Sequence, residues 1–527
     1  MRAFGVSFTR ALVILAPLAS GASYALANVG FGLWPLAFVM FIPLWWSLDA
    51  MPQKSYLKIA SAGFLFGLIA FLLGTHWLLA LNDGFIKGNT ILGSLLWLGL
   101  GAWFALAYAI YSLVYGVLKS RGFSLLVSGM VPLVLLEWLQ HNLFPSYAGA
   151  GLIHRIELAQ ISSLGGPLLM SAFVVSINSI LYGFLAQGAR FVPSQCLRLS
   201  AGGVFIAAAL FYGVSSLQGV KSVPADDDRL TIGVVQSNLV RHRSEDSAFL
   251  RHEAHLQQSR ELLSEFDVDL LIWPESAYEQ GLRRPLPIDG QFIRKDIDVP
   301  LLFGGTSIWQ SNGRKVTSNS VFFSNHEGKI AQSYDKNRLL PFAETRPELS
   351  FMGDLWDTLI DIFPQHQDFK RGTTKPSFKM GDTRFSVPIC YEMVLPDYIH
   401  SMVAEGQPDF LITLANDSWF AGTQEPEIHL ALSQLRAIEH RMWVVRSTNS
   451  GVSAVIDPAG RIVARTEMDV RENMSASMTA QRYFSWYSHF GNWLVLCVLL
   501  IALCDASRLI VAAKRSQKNT ISQAKAS

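Results

Sequence analysis

Three side chains in the more polar part of this 527-residue chain can do covalent chemistry together. They are Glu275 in W-P-E-S (273–276), Lys336 in K-N-R-L-L-P-F-A-E (336–344) and Cys390 in I-C-Y-E (389–392). A thiol becomes a nucleophile once a base takes its proton, and a carboxylate is such a base. An ammonium steadies the thiolate and then the oxyanion it creates. The chain has four cysteines, and Cys196, Cys497 and Cys504 lie in or beside long apolar runs. Cys390 therefore has no disulfide partner in its own region. It is either an inert buried thiol or a nucleophile with a base nearby. The polar region shows no Cys/His cluster with metal-ligand spacing, so neither a metal nor a cofactor is expected.

These groups need elements to hold them. Residues 230–237, 268–273, 299–308, 318–324, 383–390, 409–415, 442–447 and 451–457 read as strands, and 247–266, 396–405 and 428–441 as helices. The alternation indicates an α/β domain with helices over its sheets. Glu275 and Cys390 each follow a short apolar strand, and Lys336 follows a hairpin over 318–333. Strand ends and the loops after them bring together residues far apart in sequence.

Half of the chain is hydrophobic and only 16% is charged, which argues against a purely soluble protein. Apolar runs near 10–27, 31–48, 59–81, 91–117, 122–140, 167–187, 199–217 and 490–511 approach the ~20 residues that cross a bilayer. Arg2, Arg10, Lys54, Lys58, Lys119, Arg121, Arg190, Arg198 and the tail Arg508–Lys518 fall on one side of this pattern. The opposite loops carry only Lys87 and Arg155, so both termini are expected in the cytoplasm and the polar domain across the membrane. The expected division is 1–219 with seven spans, 220–485 as the catalytic domain, and 486–527 as an eighth span with a basic tail. Arg2, Arg10 and Ala25-Leu26-Ala27 also suit a cleaved signal peptide, which leaves the placement of the polar domain unchanged.

Taken together, W-P-E-S, K-N-R-L-L-P-F-A-E, I-C-Y-E, N-D-S-W-F (416–420) and R-S-T-N-S-G-V-S-A-V-I-D-P-A-G (446–460) resemble the nitrilase superfamily with its Glu-Lys-Cys triad. Set between seven apolar spans and an eighth, the chain resembles the apolipoprotein N-acyltransferase family. That resemblance implies a nitrilase-like α-β-β-α sandwich inserted in an eight-helix transmembrane bundle. It implies a bacterial inner-membrane enzyme whose catalytic domain is periplasmic. The implied donor is a phospholipid, typically phosphatidylethanolamine. The implied acceptor is the α-amine of diacylglyceryl-cysteine in apolipoproteins, acylated in the last step of their maturation. Carried over by motif, Cys390 is the nucleophile, Glu275 the general base and Lys336 the oxyanion stabiliser. Glu344, Tyr391 and Glu392 match supporting positions, and Trp419 and Glu137 match candidate substrate contacts. Near the lipid the match departs. Ala343-Glu344-Thr345-Arg346-Pro347 replaces a Gly-Glu-aromatic-aliphatic-Pro run, 237–246 has no tryptophan, and Phe144-Pro145-Ser146 stands for Phe-Pro-Trp.

Blander roles stand beside these. Glu137 can pair locally near the interface, Trp419 can be packing, and His76-Trp77 reads as an interfacial aromatic anchor. A membrane amidase, in which water resolves the thioester, uses the same triad. An acyltransferase acting on a different amine remains open, as does a binding protein with an inactive domain.

Overall fold

The computed structural model describes every residue except 1, 53, 83–87, 141–142, 187–192, 221–228, 240–244, 347–366 and 527. The chain divides into two compact units, one formed by 1–76, 95–212 and 492–527, the other by 77–94 and 213–491.

The first unit is helical. Among the described residues, five helices are long and apolar enough to cross a membrane: Tyr56–Gly74, Thr90–Ser120, Ser162–Ala186, Cys196–Gly219 and Trp493–Ser516. Three further apolar stretches are shorter, Leu12–Ala27, Trp34–Asp49 and Leu125–Leu139. The stretch expected as one span over 31–48 is broken into a 3-10 turn, Trp34–Phe38, and a helix, Ile42–Asp49. Pro35 and Pro43 explain the break, because each begins a helical turn and neither can continue one. Asn178 mends it, accepting from the Phe41 amide at 3.0 Å and donating to the Ala37 carbonyl at 2.8 Å. Irregular backbone inside an apolar bundle needs such a partner. The expected span 59–81 likewise ends as a regular helix at Gly74, followed by a 3-10 turn over His76–Leu81.

The second unit carries the strands. In chain order they are β1 Arg229–Gln236, β2 Leu270–Ile272, β3 Tyr278–Arg283, β4 Leu301–Ser311, β5 Arg314–Ser324, β6 Ile330–Asp335, β7 Phe378–Met380, β8 Thr383–Ser386, β9 Phe410–Ala415, β10 Trp443–Thr448, β11 Ala454–Ile456, β12 Ile462–Arg465 and β13 Glu472–Thr479. One sheet runs β13-β1-β2-β4-β5-β6, with β3 on β4, and the other runs β12-β11-β10-β9-β8-β7. Side chains alternate across a strand. Ile232 and Val234 of β1, Leu270 and Ile272 of β2, Leu302 of β4 and Val321 and Phe323 of β5 therefore enter one core with β8, β9 and β10 of the other sheet. The intervening Val235, Leu271, Leu301, Phe303 and Phe322 face a second core with Leu256 and Leu262 of the helix Glu245–Glu265. Every residue of β9 and β10 is buried; β9 accordingly reads as a nearly continuous apolar run, while β10 buries Arg446, Ser447 and Thr448 after Trp443-Val444-Val445.

Candidate active site

Parallel pairing of β2 with β1 and β4, and of β9 with β8 and β10, points these strands the same way within each sheet. Their C-terminal ends release the functional loops. Glu275 lies three residues past β2, Asp417 two past β9 and Cys390 four past β8, while Lys336 directly follows β6. Gly304 of β4 lets the Pro274–Ser276 backbone pass close by: a Cβ there would meet the Glu275 Cα at 2.6 Å and the Pro274 oxygen at 2.7 Å. Ser276 and Cys390 both hold left-handed backbone, with φ of +61° and +48°. Such conformations cost about 1–3 kcal/mol in a non-glycine residue and persist where their surroundings dictate them.

Lys336 is fully buried and charged between two carboxylates. Its Nζ is 2.8 Å from Glu344 Oε1 and 3.5 Å from Glu275 Oε1. Burial alone would discharge the ammonium, but Glu344 and Glu275 outweigh it and raise its pKa. Asn319 of β5 clamps the same pair, its Nδ2 donating to Glu275 Oε1 at 2.7 Å and to Glu344 Oε1 at 2.8 Å. The Leu340 amide donates to the other Glu344 oxygen at 2.8 Å. Glu275 is held above its ordinary carboxylate range, chiefly by burial, with Lys336 opposing and Glu344 adding to the rise. Burial and Glu275 push the Cys390 thiol well up, with Lys336 pulling the other way. A carboxylate and a thiol, both with raised pKa, thus share the field of one buried ammonium, an arrangement in which the thiol can give up its proton to the carboxylate.

Glu392 ties two of these loops together. Its oxygens accept the backbone amides of Ile389 at 2.8 Å, Asn337 at 2.7 Å and Arg338 at 2.9 Å, and the Tyr334 hydroxyl lies 2.7 Å from one oxygen. One buried carboxylate therefore spans the Lys336 loop and the Cys390 turn. Tyr391 is half-buried in that turn, Cys390–Val394. Trp419 is half-buried in the turn Asp417–Phe420. Glu137 belongs to the other unit, where it is buried and accepts the Ala148 amide at 2.7 Å. Trp77, expected as an interfacial anchor, packs within the protein. It is buried in the second unit with its ring edge-on to Phe420 at 5.3 Å, because the helix has ended at Gly74 and the 3-10 turn directs the indole inward. The departures at 240–244 and at Pro347 lie outside the described residues.

Asn319, Glu425 and His429 lie outside the sequence motifs, whereas Asp417 lies within N-D-S-W-F. Asn319 sits in the buried part of β5 between Ser318 and Ser320, where nothing in the sequence sets it apart from its polar neighbours. Asp417, Glu425 and His429 converge so that one ligand atom of each lies within 4.8 Å of the others, all three buried. Such a trio can in principle hold a cation, but the Arg446 guanidinium already pairs with Asp417 at 2.5 Å. Burial pushes Asp417 up, yet Arg446 and His429 outweigh it and bring its pKa down to about 2.

Comparison with known proteins settles the family. A model described as carbon-nitrogen hydrolase matches residues 231–486, and one described as apolipoprotein N-acyltransferase N-terminal domain matches 20–180. An apolipoprotein N-acyltransferase of Rhodopseudomonas palustris is 30% identical, over 92% of this chain and 94% of that one. The chain belongs to the apolipoprotein N-acyltransferase family. A Pseudomonas aeruginosa member is 31% identical over 85% of this chain and 86% of its own, and one from Geobacter metallireducens is 25% identical over 95% of each. Among solved structures, Nit3 of Saccharomyces cerevisiae aligns with 48% of this chain and 90% of its own at 17% identity, with a TM-score of 0.38. The family's architecture is present here: a nitrilase-like carbon-nitrogen hydrolase fold of two sheets, joined to several apolar helices.

Proposed function

We propose that this chain takes an acyl chain from a membrane phospholipid, holds it as a thioester on Cys390, and passes it to the α-amine of diacylglyceryl-cysteine at the N terminus of an apolipoprotein. The observation that carries the reading is the buried Lys336 ammonium shared by Glu275 and Glu344, with the Cys390 thiol within the electrostatic reach of all three. The names of the relatives supply the acceptor class.

In the first step Glu275 takes the Cys390 proton as Sγ attacks the ester carbonyl, and Lys336 meets the oxyanion. The intermediate collapses, the glycerol oxygen leaves with the proton from Glu275, and a lyso-phospholipid departs. In the second step the uncharged amine attacks the thioester, Glu275 takes a proton from nitrogen, and the thiolate leaves and is reprotonated. An ammonium is inert as a nucleophile, so the base is needed again. Lipid substrates explain the fusion to apolar helices. We place the chain in the bacterial inner membrane with eight spans, counting the three shorter apolar stretches, with the 220–485 domain periplasmic. The one-sided distribution of Lys and Arg supports that orientation. Phosphatidylethanolamine is the donor we favour.

The test is product analysis by mass spectrometry. Purified protein with phosphatidylethanolamine and a diacylglyceryl-cysteine peptide should yield a triacylated peptide and lyso-phospholipid in equal amounts. The same peptide acetylated at its amine should yield none. Steady release of free fatty acid, indifferent to the peptide, would make the protein a lipid hydrolase.

A further inference from the structure

The helix Glu425–His440 brings His429 to the nucleophile turn. Its Nε2 lies 3.2 Å from the Cys390 carbonyl oxygen. A carbonyl only accepts, so Nε2 carries the hydrogen and donates. On the other side of the ring, Nδ1 faces Asp417 Oδ1 at 3.6 Å and Glu425 Oε1 at 3.8 Å. The imidazole is 3% exposed. Its support is itself fixed: Arg446 pairs with Asp417 and donates from Nε to the Val452 carbonyl at 3.1 Å. Gly451 packs so tightly on Asp417 that a Cβ would lie 2.0 Å from Oδ2.

The consequence concerns the backbone of Cys390. Its φ of +48° must be imposed from outside. The peptide plane before it is held by the Glu392 amide donating to the Ile389 carbonyl at 3.0 Å. The plane after it carries the carbonyl that His429 grips. Fixing both planes fixes φ and ψ of the residue between them, and with them the direction of the Cα–Cβ bond that carries Sγ.

We propose that His429 is a positioning residue for the nucleophile: its Nε2–H holds the Cys390 carbonyl so that Sγ stays aimed between Glu275 and Lys336. The inference rests on Cys390 being the acyl carrier. His429 touches no substrate and exchanges no proton with one. It acts through the conformation of its neighbour, its ring held by burial beside Asp417 and Glu425.

The test compares His429→Gln with His429→Leu. The glutamine Nε2 is four bonds from Cα, as is that of histidine, and keeps the donor; leucine has none. Both are measured for the rate of S-acylation by phosphatidylethanolamine in detergent-purified, monodisperse protein. Leucine should lower the saturated rate by roughly 10- to 100-fold, the scale of a misaimed reacting atom, with KM within about twofold of the parent. Glutamine should recover most of the rate. If leucine does not fold, His429→Met fills the same arm, since an unbranched thioether adapts to irregular gaps. Leucine or methionine acting like the parent would overturn the proposal, and so would a folded glutamine variant no better than leucine. A parent rate abolished by chelator and restored by zinc would also overturn it, making His429 a metal ligand. Failure of the parent itself to acylate would instead sink the proposed function, so the two failures are distinguishable.

Discussion

Two buried carboxylates serve the region of Cys390, Glu392 within its turn and Glu275 on the loop after β2, and they are kept in opposite states of satisfaction. Glu392 is enclosed by donors: three backbone amides and a tyrosine hydroxyl use its oxygens, and none of these donors is a charged group. Glu275 has one amide donor on Oε1 and the Lys336 ammonium at a loose 3.5 Å, and its second oxygen takes no hydrogen bond among the described residues. Burial raises the pKa of both. A carboxylate whose lone pairs are spent on the backbone is a strut. One with a free oxygen and a raised pKa can accept a proton and return it. Two buried glutamates thus differ by their donors alone: Glu392 is held on both oxygens, and Glu275 keeps an oxygen able to take a proton.

The largest expected effect removes what Glu275 serves. Cys390→Ser should fold and insert, yet lose acyl transfer by roughly three orders of magnitude or more, because a hydroxyl is a far weaker nucleophile in the same setting. The comparison itself is tested by two glutamine substitutions. Glu275→Gln should lower S-acylation by about 10²–10⁴-fold, the usual worth of a general base, while the melting temperature holds or rises. Glu392→Gln should lower activity and melting temperature together, at roughly 1–3 kcal/mol for each donor left facing the amide nitrogen. Parallel behaviour of the two variants in thermal melts would erase the distinction.

Gly304→Ala ranks next. Its Cβ would collide with the Pro274–Ser276 backbone, so Glu275 must move. Activity should fall by roughly 10- to 100-fold with a smaller loss of stability, read from initial rates and thermal melts on one preparation.

The smallest effect is in pH. The folded Glu275 carboxyl sits above its ordinary 4.5. Between that value and the raised one the folded protein holds more protons than the unfolded chain, so the stability contribution present at low pH is lost as pH rises through the window. Glu275→Gln lacks this titration. Its melting temperature relative to the parent should match near pH 4 and pull ahead as pH climbs; a constant difference across that range would contradict the raised pKa.

Much of this site is legible in the amino-acid sequence. The strings around Glu275, Lys336 and Cys390 sit where apolar runs end, and strand ends are where α/β folds gather chemistry. β2 and β9 are readable because their burial leaves nearly continuous apolar runs, and β1 and β10 because each holds a Val-Val pair in a short apolar stretch. Polar residues inside regular elements are not. Asn319 in β5 and His429 on its helix look like ordinary interruptions until packing shows what they touch. The stretch over 31–48 misleads for the opposite reason: hydropathy counts apolar residues without registering that Pro35 and Pro43 start new turns. An interfacial Trp77 is the natural expectation because amphipathic aromatics often sit at interfaces, but its partner, Phe420, is over 300 positions away in sequence.

The central claim is that Cys390 carries the acyl group. Mass spectrometry of the proteolysed protein after incubation with phosphatidylethanolamine alone measures it directly. The account predicts one acyl chain in thioester linkage on the Cys390 peptide, persistent until a diacylglyceryl-cysteine peptide with a free amine is added, then discharged into a triacylated product. An unmodified Cys390 peptide during undiminished product formation would contradict it.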